Sequence, residues 1–144
     1  MLLQIAAARP FPGPLEPADV ASLGVPGAAV RADADIDWDS TTLCKTLARL
    51  RADGRRRMEV LPASSRLRVD DDFRLAPEPR LVELFGFARG ALGPVGAHGA
   101  AAIRVEKSLV GKTIAVGCGR AGTSLVVGAD ALVAFVGGEF VDLV

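Results

Sequence analysis

The residues best suited to bind a ligand lie in one glycine-rich segment, Gly117-Cys118-Gly119-Arg120-Ala121-Gly122. It matches the G-x-G-x-x-G pattern, in which glycines let the backbone approach a pyrophosphate at the start of a helix. The segment follows a strand-like run, but residues 123–128 are rich in β-branched types and carry no helical stripe. The pattern therefore favours a tight turn. A nucleotide- or ligand-binding loop stays open as the alternative, with Gly117, Gly119, Arg120 and Gly122 as its residues.

Alternating aspartates between residues 33 and 39 have the spacing that opens a calcium-binding loop. An EF-hand from Asp33 needs glycine at position 38 and glutamate at position 44, where the sequence has Trp38 and Cys44. The acids instead alternate with apolar residues, which predicts a half-buried strand with an acidic outer face. We expect no metal here; a divalent cation held by Asp33, Asp35 and Asp37 is the weaker alternative.

An acidic strand face needs positive charge opposite it. Arg66 and Arg68 alternate with apolar residues, which predicts a neighbouring strand whose arginines pair with the aspartates. A basic surface on a partner protein is the alternative. We expect the one concentrated basic patch to be a solvated helix end, and contact with nucleic acid is the alternative. The patch consists of Arg49, Arg51, Arg55, Arg56 and Arg57.

Candidate nucleophiles and general bases are few. His98 is the sole histidine and lies in a glycine-rich stretch, while Cys44 and Cys118 are the only thiols. Two cysteines far apart make neither a disulfide framework nor a metal knuckle, so we expect free thiols in a reducing compartment. With no convergent set of titratable residues, the sequence favours a non-enzymatic protein without a cofactor.

The net charge and the hydropathy pattern bear on whether the chain binds nucleic acid or a membrane. The chain has 17 basic and 17 acidic residues, so it exerts no global attraction on nucleic acid or an anionic membrane. We therefore expect neither as a partner. No signal peptide and no membrane span are recognisable, which predicts a protein in the cytoplasm or within an assembled particle.

The predicted elements follow the apolar pattern. Residues 39–54 predict the best helix, and a second short helix is expected after Pro79. From residue 100 onward, short apolar runs separated by turn signals predict an antiparallel meander, with Gly137-Gly138 as a hairpin turn. The fold class is therefore α+β and predominantly antiparallel β, a sandwich or barrel of short strands with one or two helices.

A single domain is expected over residues 1–144, with an N-terminal strand and proline-rich arm in residues 1–27. An α/β portion would follow in residues 28–95 and the meander in residues 96–144. Strands apolar on both faces require cover, so the arm and the meander are predicted to pack against copies of this chain or a scaffold. The candidate interface residues are Phe11, Leu15, Val133, Phe135 and Phe140.

Taken together, these patterns predict a structural assembly protein and homo-oligomer. Its most concrete form is a small virion component, such as a head-stabilising or connector protein of a phage capsid. The alternative is a small enzyme or ligand-binding domain that uses the loop at residues 117–122.

Overall fold

The structure is a computed structural model and describes residues 15–87, 90–95 and 101–144. Phe11, most of the proline-rich arm and His98 lie outside these residues. Within them, eight strands and three short α-helices follow one another along the chain. They are α1 (Pro17–Leu23), β1 (Ala29–Ala32), β2 (Thr42–Arg51), β3 (Arg56–Pro62), β4 (Phe73–Leu75), α2 (Leu81–Phe85), β5 (Ala102–Glu106), β6 (Thr113–Gly117), β7 (Thr123–Gly128), α3 (Ala129–Val136) and β8 (Glu139–Val141).

The strands form one mixed sheet in the order β1-β7-β6-β2-β3-β5-β8, with β4 added to one edge of β2. The pairs β1–β7, β2–β3, β2–β4 and β6–β7 are antiparallel, whereas β2–β6, β3–β5 and β5–β8 are parallel. The predicted α+β class is confirmed. Because β2 pairs with three different strands, it is the centre of the sheet and positions everything described below.

The predicted helix over residues 39–54 is wrong, because this segment forms β2. Cys44, Thr46 and Ala48 are buried on one face of the strand, which is a period of two. The apolar spacing allowed both interpretations. Strand β3 decides between them, since it pairs with β2 over seven consecutive positions from Cys44 to Leu50.

The predicted meander is only partly correct. Strands β6 and β7 form an antiparallel hairpin, but β5 pairs in parallel with β3 and β8 instead of with β6. The run before Gly137 is helix α3, which buries Ala129, Leu132 and Val136 on one side. Gly137 has a φ of 65° and ends this helix, so the predicted Gly-Gly hairpin turn is wrong.

The predicted acidic strand ends early. Strand β1 stops at Ala32, and Asp33–Asp35 form a short 3-10 helix, so the aspartates do not share one strand face. Residues 66–69 form no strand and do not pair with them. Instead, the Arg68 guanidinium donates to the carbonyl oxygen of Val144 at 2.9 Å. The described residues contain no cluster of metal-ligating side chains.

Four of the five candidate interface residues fall within the described part of the chain. Leu15 is buried in the chain's own core, and Val133, Phe135 and Phe140 are partly buried against that core. The apolar strand faces are thus covered in large part from within. None of the helices in the described residues is long and apolar enough to cross a membrane.

Candidate active site

A cavity of about 560 Å³ opens beside the middle of β2. On this edge β2 pairs with β6 only at Thr42 and Leu43, and with β4 only from Arg49 onward. The five residues between, from Cys44 to Ala48, all line the cavity. Because successive side chains point to opposite faces of a strand, a cavity touching five in a row meets the strand at its edge.

Lys45 brings a positive charge to this cavity. It is half-buried and shares a strand face with Leu43 and Leu47, directly opposite the buried Leu61 of β3. Among the described residues, its ammonium group makes no hydrogen bond and no ion pair. An unpaired cation held among apolar side chains is well placed to meet a negative charge on a ligand.

The other charged groups at the cavity are already engaged. Ser124 Oγ donates to Asp33 Oδ1 at 2.7 Å, and the Asp33 backbone N–H donates to the carbonyl oxygen of Gly122 at 2.9 Å. Arg120 Nη2 lies 2.5 Å from Glu16 Oε1. The Asp33 contacts hold the turn between β6 and β7 against the segment that follows β1, and the Arg120–Glu16 pair ties the same turn to the start of α1.

The sequence-predicted loop residues fall at this same place. Gly117, Arg120 and Gly122 line the cavity together with Asp33, whereas Gly119, Asp35 and Asp37 do not. The chain continues into β7, a strand, so the segment at residues 117–122 lacks the helix that a dinucleotide fingerprint requires. Sequence reasoning missed Lys45. Its one signal is a lysine between the apolar residues Leu43 and Leu47 on one face of β2.

Neither thiol is suited to act as a nucleophile. Burial raises the pKa of Cys44 to about 12, against a small lowering effect of Lys112. Burial also raises the pKa of Cys118, whose Sγ lies 3.4 Å from the Thr123 carbonyl oxygen. Both thiols are therefore protonated near neutral pH, and the thiolate is the reactive form.

The wall opposite β2 is a loop segment, residues 90–95, of which Gly90 and Leu92 line the cavity. The Gly119 N–H donates to the Ala91 carbonyl oxygen at 3.0 Å, which ties this segment to the turn after β6. The cavity therefore has one wall made by an open strand edge and another made by glycine-rich backbone. Leu75, Ala76 and Leu81 add an apolar side.

Solved structures resemble this architecture over most of its length. A scaffold protein from work on epitope backbone grafting by computational design matches with a TM-score of 0.73 and 18% identity, covering 86% of this chain and 91% of that chain. A candidate trans-editing enzyme for prolyl tRNA synthetase matches with a TM-score of 0.70 and 20% identity, covering 86% and 90%. The hypothetical protein APE2540 matches with a TM-score of 0.67 and 23% identity, covering 94% and 85%. These low identities establish the fold alone.

A comparison with curated proteins found no match. The family model of the aminoacyl-tRNA editing domain matches residues 30–135, which run from β1 into α3 and include all the residues that line the cavity. This match overturns the predicted assembly function, together with its capsid and virion components. It gives no support to the predicted location in an assembled particle.

The prediction that nucleic acid is an unlikely partner is wrong for the same reason, and so is the expected protein scaffold. Net charge reports long-range attraction and does not exclude binding through local groups. The family model spans well over half of the sequence. The chain belongs to the aminoacyl-tRNA editing domain family.

Proposed function

We propose that this chain hydrolyses the ester bond that joins a wrongly attached amino acid to the end of its tRNA. Editing removes such products at a hydrolytic site that accepts them by size and chemistry. In the reaction, a water oxygen bonds to the ester carbonyl carbon, the bond from that carbon to the ribose oxygen breaks, and the ribose oxygen takes up a proton. The products are the free amino acid and the uncharged tRNA.

The observation that carries the proposal is the Lys45 ammonium, which pairs with none of the residues that the structure describes and lies at a cavity of about 560 Å³. This volume lies within the range of about 300–1,000 Å³ that is typical of small-ligand sites. Negative charge develops on the carbonyl oxygen as water adds to an ester. A fixed positive charge next to that oxygen stabilises the transition state more than the neutral ground state.

The thiols support water as the nucleophile. Cys44 lines the cavity, but its pKa of about 12 keeps it protonated. A protonated thiol is a poor nucleophile, which is consistent with hydrolysis by a bound water.

The tRNA to test first is suggested by a structural neighbour. That protein is a candidate trans-editing enzyme for prolyl tRNA synthetase. We therefore propose tRNA that accepts proline, carrying an amino acid other than proline, as the first substrate. The apolar wall made by Leu75, Ala76 and Leu81 suits a small amino acid with little charge on its side chain.

The experiment is a deacylation assay with labelled aminoacyl-tRNA, comparing the unmodified chain with two lysine variants. Lys45→Ala is expected to lower kcat about 10²-fold or more, the loss typical of one group that stabilises an oxyanion. Lys107→Ala is the matched control, because Lys107 is exposed and pairs with Asp142 away from the cavity. Equal rates for both variants would contradict the role of Lys45.

A further inference from the structure

Three hydrogen bonds show which residues of β2 point their N–H and carbonyl groups toward the cavity. The Leu43 carbonyl oxygen accepts from the Ala63 N–H at 2.9 Å, and the Arg51 N–H donates to the Arg55 carbonyl oxygen at 2.9 Å. Odd-numbered residues of β2 therefore direct their main-chain groups toward β3. In a strand, even-numbered residues must then direct theirs to the opposite edge.

The third hydrogen bond confirms this alternation from the other side. The Ala48 carbonyl oxygen accepts from the Ala76 N–H at 2.8 Å, on the edge away from β3. Thr46 lies two residues earlier and so presents its own N–H and carbonyl oxygen to this same edge. Among the described residues, no strand pairs with β2 at Thr46 on this edge. The pairing of β2 with β6 ends at Leu43, and its pairing with β4 begins at Arg49.

An open strand edge is costly when it is buried, since unpaired N–H and carbonyl groups lose their hydrogen bonds to water. Thr46 is buried and lines the cavity. Its main-chain groups therefore face a space that none of the described strands fills. Recognition of an extended chain by such an edge is a general mode of binding.

We propose that the aminoacyl group of the substrate pairs with the main chain of Thr46 as a single strand residue would. The substrate's α-ammonium group donates to the Thr46 carbonyl oxygen, and the Thr46 N–H donates to the ester carbonyl oxygen. This inference rests on the proposed function. It adds a second donor for the oxygen on which negative charge develops, beside the ammonium of Lys45.

This pairing selects for the part that all α-amino acids share. An N–H and a carbonyl group on one residue match an ammonium and a carbonyl group on one carbon, irrespective of the side chain. The Thr46 main chain would thus position any aminoacyl ester, and the surrounding side chains, Leu81, Leu92 and Val116 among them, would decide which amino acid fits.

The first test removes the backbone N–H of residue 46. Thr46→Pro removes this donor without removing a bond to β3, and proline is tolerated in strands where its nitrogen faces an open edge. Thr46→Val retains the N–H and serves as the reference. We expect the proline variant to have a kcat about 10²–10³-fold below that of the valine variant, with circular dichroism unchanged. Equal kcat values in two folded variants would overturn the inference.

The second test leaves the protein unchanged and decides the matter if the proline variant does not fold. The same tRNA is acylated with the amino acid and with the corresponding acid that lacks the amino group. Rates are divided by the spontaneous hydrolysis rate of each ester. We expect the enhancement to fall at least about 10-fold without the amino group, since the Thr46 carbonyl oxygen loses its donor. Equal enhancement for the two esters would overturn the inference.

The two proposals fail in different ways. If the unmodified chain hydrolyses no aminoacyl-tRNA above the spontaneous rate, the proposed function is wrong. If it hydrolyses them but responds to neither change, only the pairing with Thr46 is wrong.

Discussion

The backbone of Gly93 lies directly against the carbonyl group of Gly117. A Cβ atom at position 93 would come within 2.1 Å of the Gly117 oxygen, and a Cβ at position 117 within 1.8 Å of the Leu92 oxygen. Neither separation is possible for real atoms, so both positions require glycine. This contact joins the loop wall of the cavity, residues 90–95, to the end of β6.

Gly93→Ala is therefore expected to displace this loop wall and to impair deacylation at least about 10-fold. It should also lower the free energy of unfolding by about 1–3 kcal/mol, as overpacking does. Gly128→Ala is the matched control, because a Cβ there meets nothing within 4 Å. We expect that control to cost less than about 1 kcal/mol and to retain activity. Denaturant unfolding and the deacylation rate measure both effects; a fully active Gly93→Ala variant would contradict the contact.

A buried ionic group on β3 gives a second prediction. Glu59 is 2% exposed, and its Oε1 lies 2.6 Å from Nε of the buried Arg49. Arg57 and Arg104 lie 3.6 Å and 3.9 Å from its other carboxylate oxygen. Removing one member of a buried pair leaves an uncompensated charge.

Glu59→Gln is expected to lower the free energy of unfolding by about 3–5 kcal/mol. Asp53→Asn is the control, because its ion pairs with Arg51 and Arg55 are exposed and should contribute no more than about 1 kcal/mol. Urea denaturation measures the difference. If the two variants were equally stable, the buried pair would have no special role.

The lowered pKa of Glu106 predicts that the free energy of unfolding depends on pH. Burial would raise the pKa of this carboxyl, but hydrogen bonds outweigh that effect and hold the pKa below its ordinary value of 4.5. The Leu143 N–H donates to Oε1 at 2.9 Å and the Ser108 N–H donates to Oε2 at 2.8 Å. A carboxyl with a lowered pKa stabilises the fold above its ordinary pKa, and this contribution is lost as pH falls through the folded value.

The unmodified chain should therefore lose stability between about pH 4.5 and the lower folded pKa. Glu106→Gln should be less stable at pH 7 by about 1–3 kcal/mol, and the difference should shrink on acidification. Thermal unfolding at a series of pH values tests this. A difference that stays constant from pH 7 to pH 3 would be incompatible with the lowered pKa.

The raised pKa of Cys44 predicts a thiol that reacts slowly with alkylating reagents. With a pKa of about 12, its thiolate fraction at pH 8 is only about 10⁻⁴. Native protein should resist iodoacetamide at this pH, and unfolded protein should react at both cysteines. Mass spectrometry of the modified peptides gives the measurement. Rapid alkylation of Cys44 in the native state would argue against its burial.

Part of the fold follows from the sequence alone. The α+β class, the strand within Arg56–Pro62, the short helix Leu81–Phe85 and the hairpin β6–β7 all match local apolar patterns. The errors at β2 and α3 have one physical cause. Short apolar runs fit a strand or a helix equally well, and the partner strand or the packed face decides.

The site was less accessible to sequence reasoning. Gly117, Arg120, Gly122 and Asp33 stand out in the sequence and line the cavity, and their binding of a ligand stays a prediction. Lys45 and Thr46 become notable only once β6 and β4 leave a gap in the pairing of β2. A gap between two strands distant in sequence leaves no local signal.

The most direct test of the account is the release of labelled amino acids from a panel of aminoacyl-tRNAs by the unmodified chain. The panel should include tRNA that accepts proline, charged correctly with proline and incorrectly with smaller amino acids. We predict that at least one incorrectly charged tRNA is hydrolysed about 10-fold or more faster than the correctly charged one, and that Lys45→Ala abolishes the difference. Release at the spontaneous rate from every member of the panel would contradict it.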